Sequence, residues 1–273
     1  MRARPSVSPC CRSAPQSRWM RLSPFGPLDG RFAPPPPGER IDWLKAQPFA
    51  HRGLHGADIV ENCRAAFEAA VALGHGIELD VQASRDGEAI VFHDYELRRL
   101  TGEPGRVRDR SAAELQAIAL AGAGETIPTL AEIVRLVDSR VPMLIEVKAP
   151  TRRVAPLCAS VLRAVRDYPG RMAVMSFNPE VGAWFHRHGR GITRGLVVSE
   201  RYRRRRVHAG FERRLSLWRA RPHFLAYDVE SLPSAFAREQ RLRGLPVLTW
   251  TVRGGEQRAR AAAEADQIIY EDR

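Results

Sequence analysis

Four short apolar runs in this sequence are interrupted by groups that bind cations, move protons or hold anions. They are Ala50-His51-Arg52-Gly53, Ile77-Glu78-Leu79-Asp80-Val81, Val91-Phe92-His93-Asp94 and Leu144-Ile145-Glu146-Val147-Lys148. Side chains two apart on a strand project to the same face, so Glu78 and Asp80 point together. Two carboxylates on one inward face repel and are costly to desolvate unless a cation lies between them. Glu146, on another strand, brings a third oxygen donor. Carboxylates without thiols or clustered imidazoles favour a hard divalent ion, Mg²⁺ or Ca²⁺, over zinc. The same spacing also fits carboxylates paired with surface arginines.

His51 and His93 each end an apolar run, the position at which barrel enzymes place catalytic groups. An imidazole titrates near neutrality, and a pair of them can act as base and acid. The alternative is a hydrogen-bonded core histidine. Arg52 and Lys148 beside these groups offer fixed positive charge for a phosphate, although Lys148 and Glu146 on one strand face also suit a structural ion pair.

Elements that would position these groups are legible in the pattern. Strand-like runs cover 49–51, 76–81, 89–93, 143–147, 172–177, 192–198, 224–228, 246–252 and 267–270. Amphipathic helices lie between most of them, with Ser111/Glu114 and Thr129/Glu132 as capping boxes and Asn178-Pro179 opening a helix that Gly189 closes. Asn62 is expected to cap a helix ending at Gly74. Alternating strands and helices predict a parallel α/β fold, a distorted (β/α)₈ TIM barrel, over residues 46–273. Nine runs are one too many for eight places. The link 82–88 is too short for a crossover helix, so Val81 and Ile90 should flank a hairpin that brings Asp80 and His93 close. A doubly wound sheet competes, but no glycine-rich phosphate loop follows the first strand. Residues 1–45, rich in Pro, Arg and Ser, are expected to form a disordered extension.

The chain has 273 residues and a formal net charge of +12. Its positive charge is almost all arginine, concentrated in the N-terminal tail and in Arg201 to Arg221. Aromatic interleaving of the kind used to bind single strands is missing, so no nucleic-acid partner is expected. No apolar run is long enough for a signal peptide or a membrane span, which predicts a cytoplasmic protein. Cys10, Cys11, Cys63 and Cys158 have no metal or redox spacing and are expected to be free thiols.

Taken together and in order, HRG at 51–53, EN at 61–62, ELDV at 78–81, HD at 93–94 and EVK at 146–148 resemble the glycerophosphodiester phosphodiesterase family. IPTLAEI from Ile127, SFNP from Ser176 and TWTV from Thr249 support the resemblance, which spans residues 48–273. It implies a divalent cation held at Glu78, Asp80 and Glu146, and catalytic histidines at His51 and His93. It also implies a phosphate-binding Arg52, with Asn62, Lys148 and Trp250 at the substrate site and Glu61 beside it. Two departures stand out: Val60 replaces a proline, and Ile269-Tyr270-Glu271-Asp272 replaces the Ile-Thr-Asp ending of many relatives. The expected activity is hydrolysis of a small glycerophosphodiester to glycerol 3-phosphate and an alcohol. One alternative is a phospholipase D-like enzyme on lysophospholipid or sphingolipid, with Arg201 to Arg206, Phe211 and Trp218 resting on an anionic bilayer. A second is a barrel that binds an anionic ligand without turnover.

Overall fold

The computed structural model describes residues 25–122, 124–201 and 209–272. Nine strands form among them: β1 Phe49–His51, β2 Gly76–Ala83, β3 Ala89–Val91, β4 Met143–Val147, β5 Met172–Ser176, β6 Thr193–Val198, β7 Phe224–Asp228, β8 Val247–Val252 and β9 Gln267–Tyr270. Eight run parallel in the order β1-β9-β8-β7-β6-β5-β4-β2, and β1 pairs with β2 to close the barrel. The ninth, β3, is the expected hairpin partner of β2: it is antiparallel, with Val81 opposite Val91 and Gln82 opposite Ile90. The fold is therefore the (β/α)₈ barrel, with helices covering its outer face.

The helices follow their sequence signals. Leu130–Val137 starts in the Thr129/Glu132 capping box, and its Leu130, Ile133, Val134 and Val137 form one buried stripe at helical spacing. The inside of the barrel is filled by Phe49, Leu144, Met175, Val197, Phe224, Leu248 and Ile269, among others. Gly195 on β6 has no side chain because the Phe224 ring occupies that space.

Of the expected extension, residues 1–24, with Cys10 and Cys11, lie outside the described residues. Residues 25–45 are folded against the barrel. Helix Gly26–Phe32 carries Asp29, fully buried, where Arg214, Trp218 and Gln240 all donate to its carboxylate. Leu44 and Ile41 join the core inside the barrel. Prolines and arginines mark this segment as polar, but Ala33, Ile41 and Leu44, with one buried acid, decide its packing.

No helix among the described residues is long and apolar enough to cross a membrane. Of the stretch expected to meet a bilayer, 202–206 lie outside the described residues. Trp218 is turned inward: its indole N–H donates to Asp29 at 2.7 Å, and its ring packs on Phe25, Phe32 and Phe211. Cys63 and Cys158 are buried free thiols.

Candidate active site

All the charged runs singled out in the sequence end at one mouth of the barrel. Strands β2 and β4 pair in register with Asp80 beside Glu146, and Glu78 lies two residues before Asp80 on the same face. Glu78 and Asp80 are almost fully buried. Oxygens of Glu78, Asp80 and Glu146 lie within 4.8 Å of one another. Oxygens on opposite sides of a hard cation, each at about 2.4 Å, are separated by about 4.8 Å, so the set fits such an ion as it stands. Burial, and then the charges of Asp80 and Glu146, push Glu78 well above the usual carboxylate range; burial also raises Glu146, against the opposing charge of Lys148. Burial also acts on Asp80, but Lys148 and Arg52 outweigh it and hold that carboxylate low. Three acids crowded this closely call for more positive charge than the protein places beside them.

Two cations and an amide share that cluster. Lys148 Nζ lies 3.3 Å from both Asp80 Oδ1 and Glu146 Oε1. Arg52 donates through Nη1 to Glu61 at 2.8 Å, and its Nε is 3.3 Å from Asp80 Oδ2. Its backbone N–H reaches Glu78 Oε2 at 3.2 Å. The turn after β1 makes this possible. Arg52 and Asn62 both have left-handed backbone, at φ 59° and 56°, and the Asn62 N–H donates to Arg52 O at 2.9 Å. Gly53, at φ 78°, has to be glycine, since a Cβ there would lie 2.7 Å from the Ala66 backbone. Asn62 is not the helix cap expected from the sequence. Cys63 takes that place, its Sγ accepting from Ala66 N, and this frees the Asn62 amide to donate to Asp80 Oδ2 at 3.1 Å.

Each histidine is oriented by a carboxylate that an arginine holds in turn. His51 Nδ1 lies 2.7 Å from Glu271 Oε1, and Arg253 Nε donates to the other oxygen of Glu271 at 2.8 Å. His93 Nδ1 lies 2.7 Å from Asp94 Oδ1. Arg99 donates to Asp94 and, through both terminal nitrogens, to Glu61, so this relay continues into Arg52. A carboxylate on Nδ1 keeps the proton there and leaves Nε2 as the free base. In His51, Nε2 is 3.9 Å from Glu78 Oε2. Burial lowers both imidazoles below their usual range, which favours their neutral form. Gln82, two residues past Asp80, donates to the carbonyls of Phe92 and Asp94 and so clamps the loop that carries His93.

His51, Arg52, Glu78, His93, Glu146 and Lys148 all line one cavity of about 440 Å³. Its far wall is an edge-to-face pair, Phe177 and Trp250, with ring centres 5.6 Å apart. The Trp250 indole donates to Ala226 O, which fixes that ring. Every residue expected at the site is therefore gathered there: Asn62 and Asp80 sit just behind the cavity wall. Four residues were not anticipated: Arg99, Phe177, Arg253 and Glu271. The signal for Glu271 lay in barrel closure. Ala50 pairs with Tyr270 in the parallel β1–β9 ladder, so the next residues, His51 and Glu271, fall side by side.

The chain is thus a parallel (β/α)₈ barrel with an acidic cluster, two oriented imidazoles and flanking cations at one mouth. The chain belongs to the Glycerophosphoryl diester phosphodiesterase family, whose sequence profile matches residues 51–272. It is 36% identical over 146 residues to a glycerophosphodiester phosphodiesterase of Caldanaerobacter subterraneus, covering 50% of this chain and 59% of that one. The chain thus spans about three fifths of the first curated relatives it matches, 59% and 61% of their lengths. Among solved structures it is similar to a glycerophosphodiester phosphodiesterase of Thermotoga maritima, with a TM-score of 0.66 and 26% identity, covering 82% of this chain and 94% of that one. A phosphodiesterase from Oleispira antarctica, in complex with the product sn-glycerol-3-phosphate, has the same fold, with a TM-score of 0.71 and 23% identity over 82% of this chain and 92% of that one.

Proposed function

We propose that this chain is a metal-dependent phosphodiesterase that hydrolyses glycerophosphodiesters to glycerol 3-phosphate and an alcohol. The observation that carries the reading is the pair of imidazoles, each held at Nδ1 by a carboxylate and each lining the cavity that contains the acidic cluster. Membership of the family and the names of its relatives agree with it.

Glu78, Asp80 and Glu146 would hold Mg²⁺ or Ca²⁺, which supplies neutralisation of charge developing on a phosphate oxygen. Arg52 and Lys148 bind the phosphate and set it in line between the two histidines. His51, the more buried of the two and held by Glu271, takes the proton from the nucleophile. That nucleophile is water or the glycerol 2-hydroxyl acting through a cyclic phosphate. His93 is more open, and Asp80 and Asp94 offset part of the burial that lowers it; it returns a proton to the departing alkoxide. Trp250 and Phe177 give the organic part of the substrate an apolar wall, and Asn62 holds Asp80 in place.

The test is incubation of the full chain with a panel of glycerophosphodiesters and Mg²⁺, Ca²⁺ or chelator, with glycerol 3-phosphate measured. Release that stops on chelation and returns with the ion is expected. Undiminished release under chelation would remove the metal, and no release from any diester would remove the activity.

A further inference from the structure

The opposite end of the barrel holds a second concentration of charge. Arg194 is the second residue of β6, and His223 immediately precedes β7, opposite Arg194 in the ladder register. Arg194 is only 5% exposed. Its Nη1 and Nη2 donate to the carbonyls of Ile192 and Arg221 at 3.4 and 3.2 Å, and its Nε is buried with no hydrogen-bond partner. Arg194 Nη2 also donates to His223 Nε2 at 2.8 Å. Around them stand Arg40, donating to Arg190 O at 3.5 Å, and Arg221, whose Nη1 is 3.2 Å from His186 Nε2.

None of these arginines has an ion pair with a carboxylate among the described residues. The charges acting on Arg194 are those of Arg40 and Arg221, and burial with these two lowers its pKa to about 10. His223 is likewise lowered, to about 3, by burial, Arg194 and Arg40, so it is neutral near pH 7. Residues 1–24, 123, 202–208 and 273 contain no Asp or Glu, so no side chain outside the description can supply the missing countercharge. A buried guanidinium is ordinarily paired, because removing the ion from water is costly and only an opposite charge or full hydrogen bonding offsets it. Guanidinium N–H groups match the oxygens of a tetrahedral oxyanion.

We infer that this N-terminal face is an anion site, built by Arg40, Arg190, Arg194 and Arg221 with His186 and His223, that takes a phosphate-type oxyanion. It lies across the barrel from the catalytic mouth and shares no residue with it. Its residues come from the helices at 38–41 and 179–188, from β6 and from the segments at 190 and 221–223, and the occupant is a free phosphate or phosphomonoester.

The experiment is calorimetric titration of inorganic phosphate into the full chain, into Arg52→Gln, and into Arg40→Gln/Arg221→Gln. Arg52→Gln alters only the catalytic mouth. Phosphate binding that survives in Arg52→Gln and weakens at least tenfold in the double variant is expected. Equal binding by the double variant and the wild type overturns the proposal. So does heat that sodium chloride reproduces at matched ionic strength, which marks general screening. Circular dichroism and melting without phosphate check that the double variant is folded; if it is not, Arg190→Gln, an exposed position, takes its place with the same criterion. A parallel arm uses phosphatidylglycerol vesicles. Sedimentation of wild type but not of the double variant, with no response to free phosphate, would reassign the face to a membrane and overturn the small-anion site.

Discussion

Lys148 and Arg194 are both cations largely withdrawn from water at the rim of the same barrel, yet their surroundings are opposite. At the C-terminal mouth Lys148 sits between Asp80 and Glu146, and Arg52 between Asp80 and Glu61. Carboxylates outnumber the cations there, so what remains unbalanced is negative. At the N-terminal face Arg194, Arg40 and Arg221 meet backbone carbonyls and imidazoles, and the balance is positive. The two rims are made of the same strands. What distinguishes them is which end of each parallel strand carries which charge, and the sign left over agrees with the ligand proposed for each: a cation at one, an oxyanion at the other.

The sharpest separation between the rims should appear in turnover. His51→Ala and His93→Ala are each expected to lower kcat by about 10²- to 10⁴-fold, the usual contribution of a positioned proton transfer, without loss of fold. Arg40→Gln should leave kcat unchanged. Near-wild-type turnover in either histidine variant would remove its catalytic role, and a comparable loss in Arg40→Gln would mean the two rims are not independent.

A third buried arginine calibrates the contrast. Arg214 is 8% exposed and, unlike Arg194, is paired with Asp29 and Glu239. Asp29→Ala puts Arg214 closer to the condition in which Arg194 natively exists and also strands the Trp218 and Gln240 donors. Breaking a buried pair from one side typically costs about 3–5 kcal/mol, and denaturant unfolding of the variant should show a loss near the lower figure, because Glu239 remains. A cost under about 1 kcal/mol would show that this protein tolerates an underpaired buried guanidinium, and the case for an anion over Arg194 would weaken accordingly.

Next in size is the relay behind His51. Glu271→Gln preserves shape but removes the charge that holds Nδ1–H and answers Arg253. One charge-assisted hydrogen bond is worth about 1.5–3 kcal/mol, so a fall in kcat of about ten- to a hundredfold is expected, with KM little changed. An effect confined to KM would make Glu271 a substrate contact instead of an orienting group.

Glu271 also shows where the sequence stops being readable. Four of the nine strand-like runs match the strands end for end, 49–51, 143–147, 224–228 and 267–270, because apolar runs bounded by turn residues follow local rules. The hairpin that sets His93 near Asp80 came from the length of one link. His51, Arg52, Glu78, Asp80, His93, Glu146 and Lys148 were visible because an ionisable residue in an apolar strand is conspicuous. Glu271 and Arg253 lie beyond the last strands in polar stretches where acids and arginines are ordinary, and only closure of β9 on β1, across 220 positions, gives Glu271 its partner. Asn62 was misread for a related reason. Its type suits a helix cap, and nothing local reveals that a buried Asp80 competes for its amide. The packing of residues 25–45 was hidden in the same way, since Asp29 finds Arg214 185 positions away.

The smallest expected effect bears on the N-terminal face. Arg190 is exposed and stands among like charges, so replacing it relieves repulsion instead of breaking a pair. Arg190→Gln should raise stability by no more than about 0.5 kcal/mol in phosphate-free buffer of low ionic strength, the scale of a surface substitution. At about 1 M salt, where the screening length falls to about 3 Å, the gain should vanish. In saturating phosphate its sign should reverse, because the variant then forfeits part of a site that stabilises the folded state by mass action. Melting curves in the three buffers distinguish these cases. A gain that persists unchanged in phosphate would mean that the arginines of this face only repel one another, and the symmetry drawn here between a rim that wants a cation and a rim that wants an anion would fail on its second half.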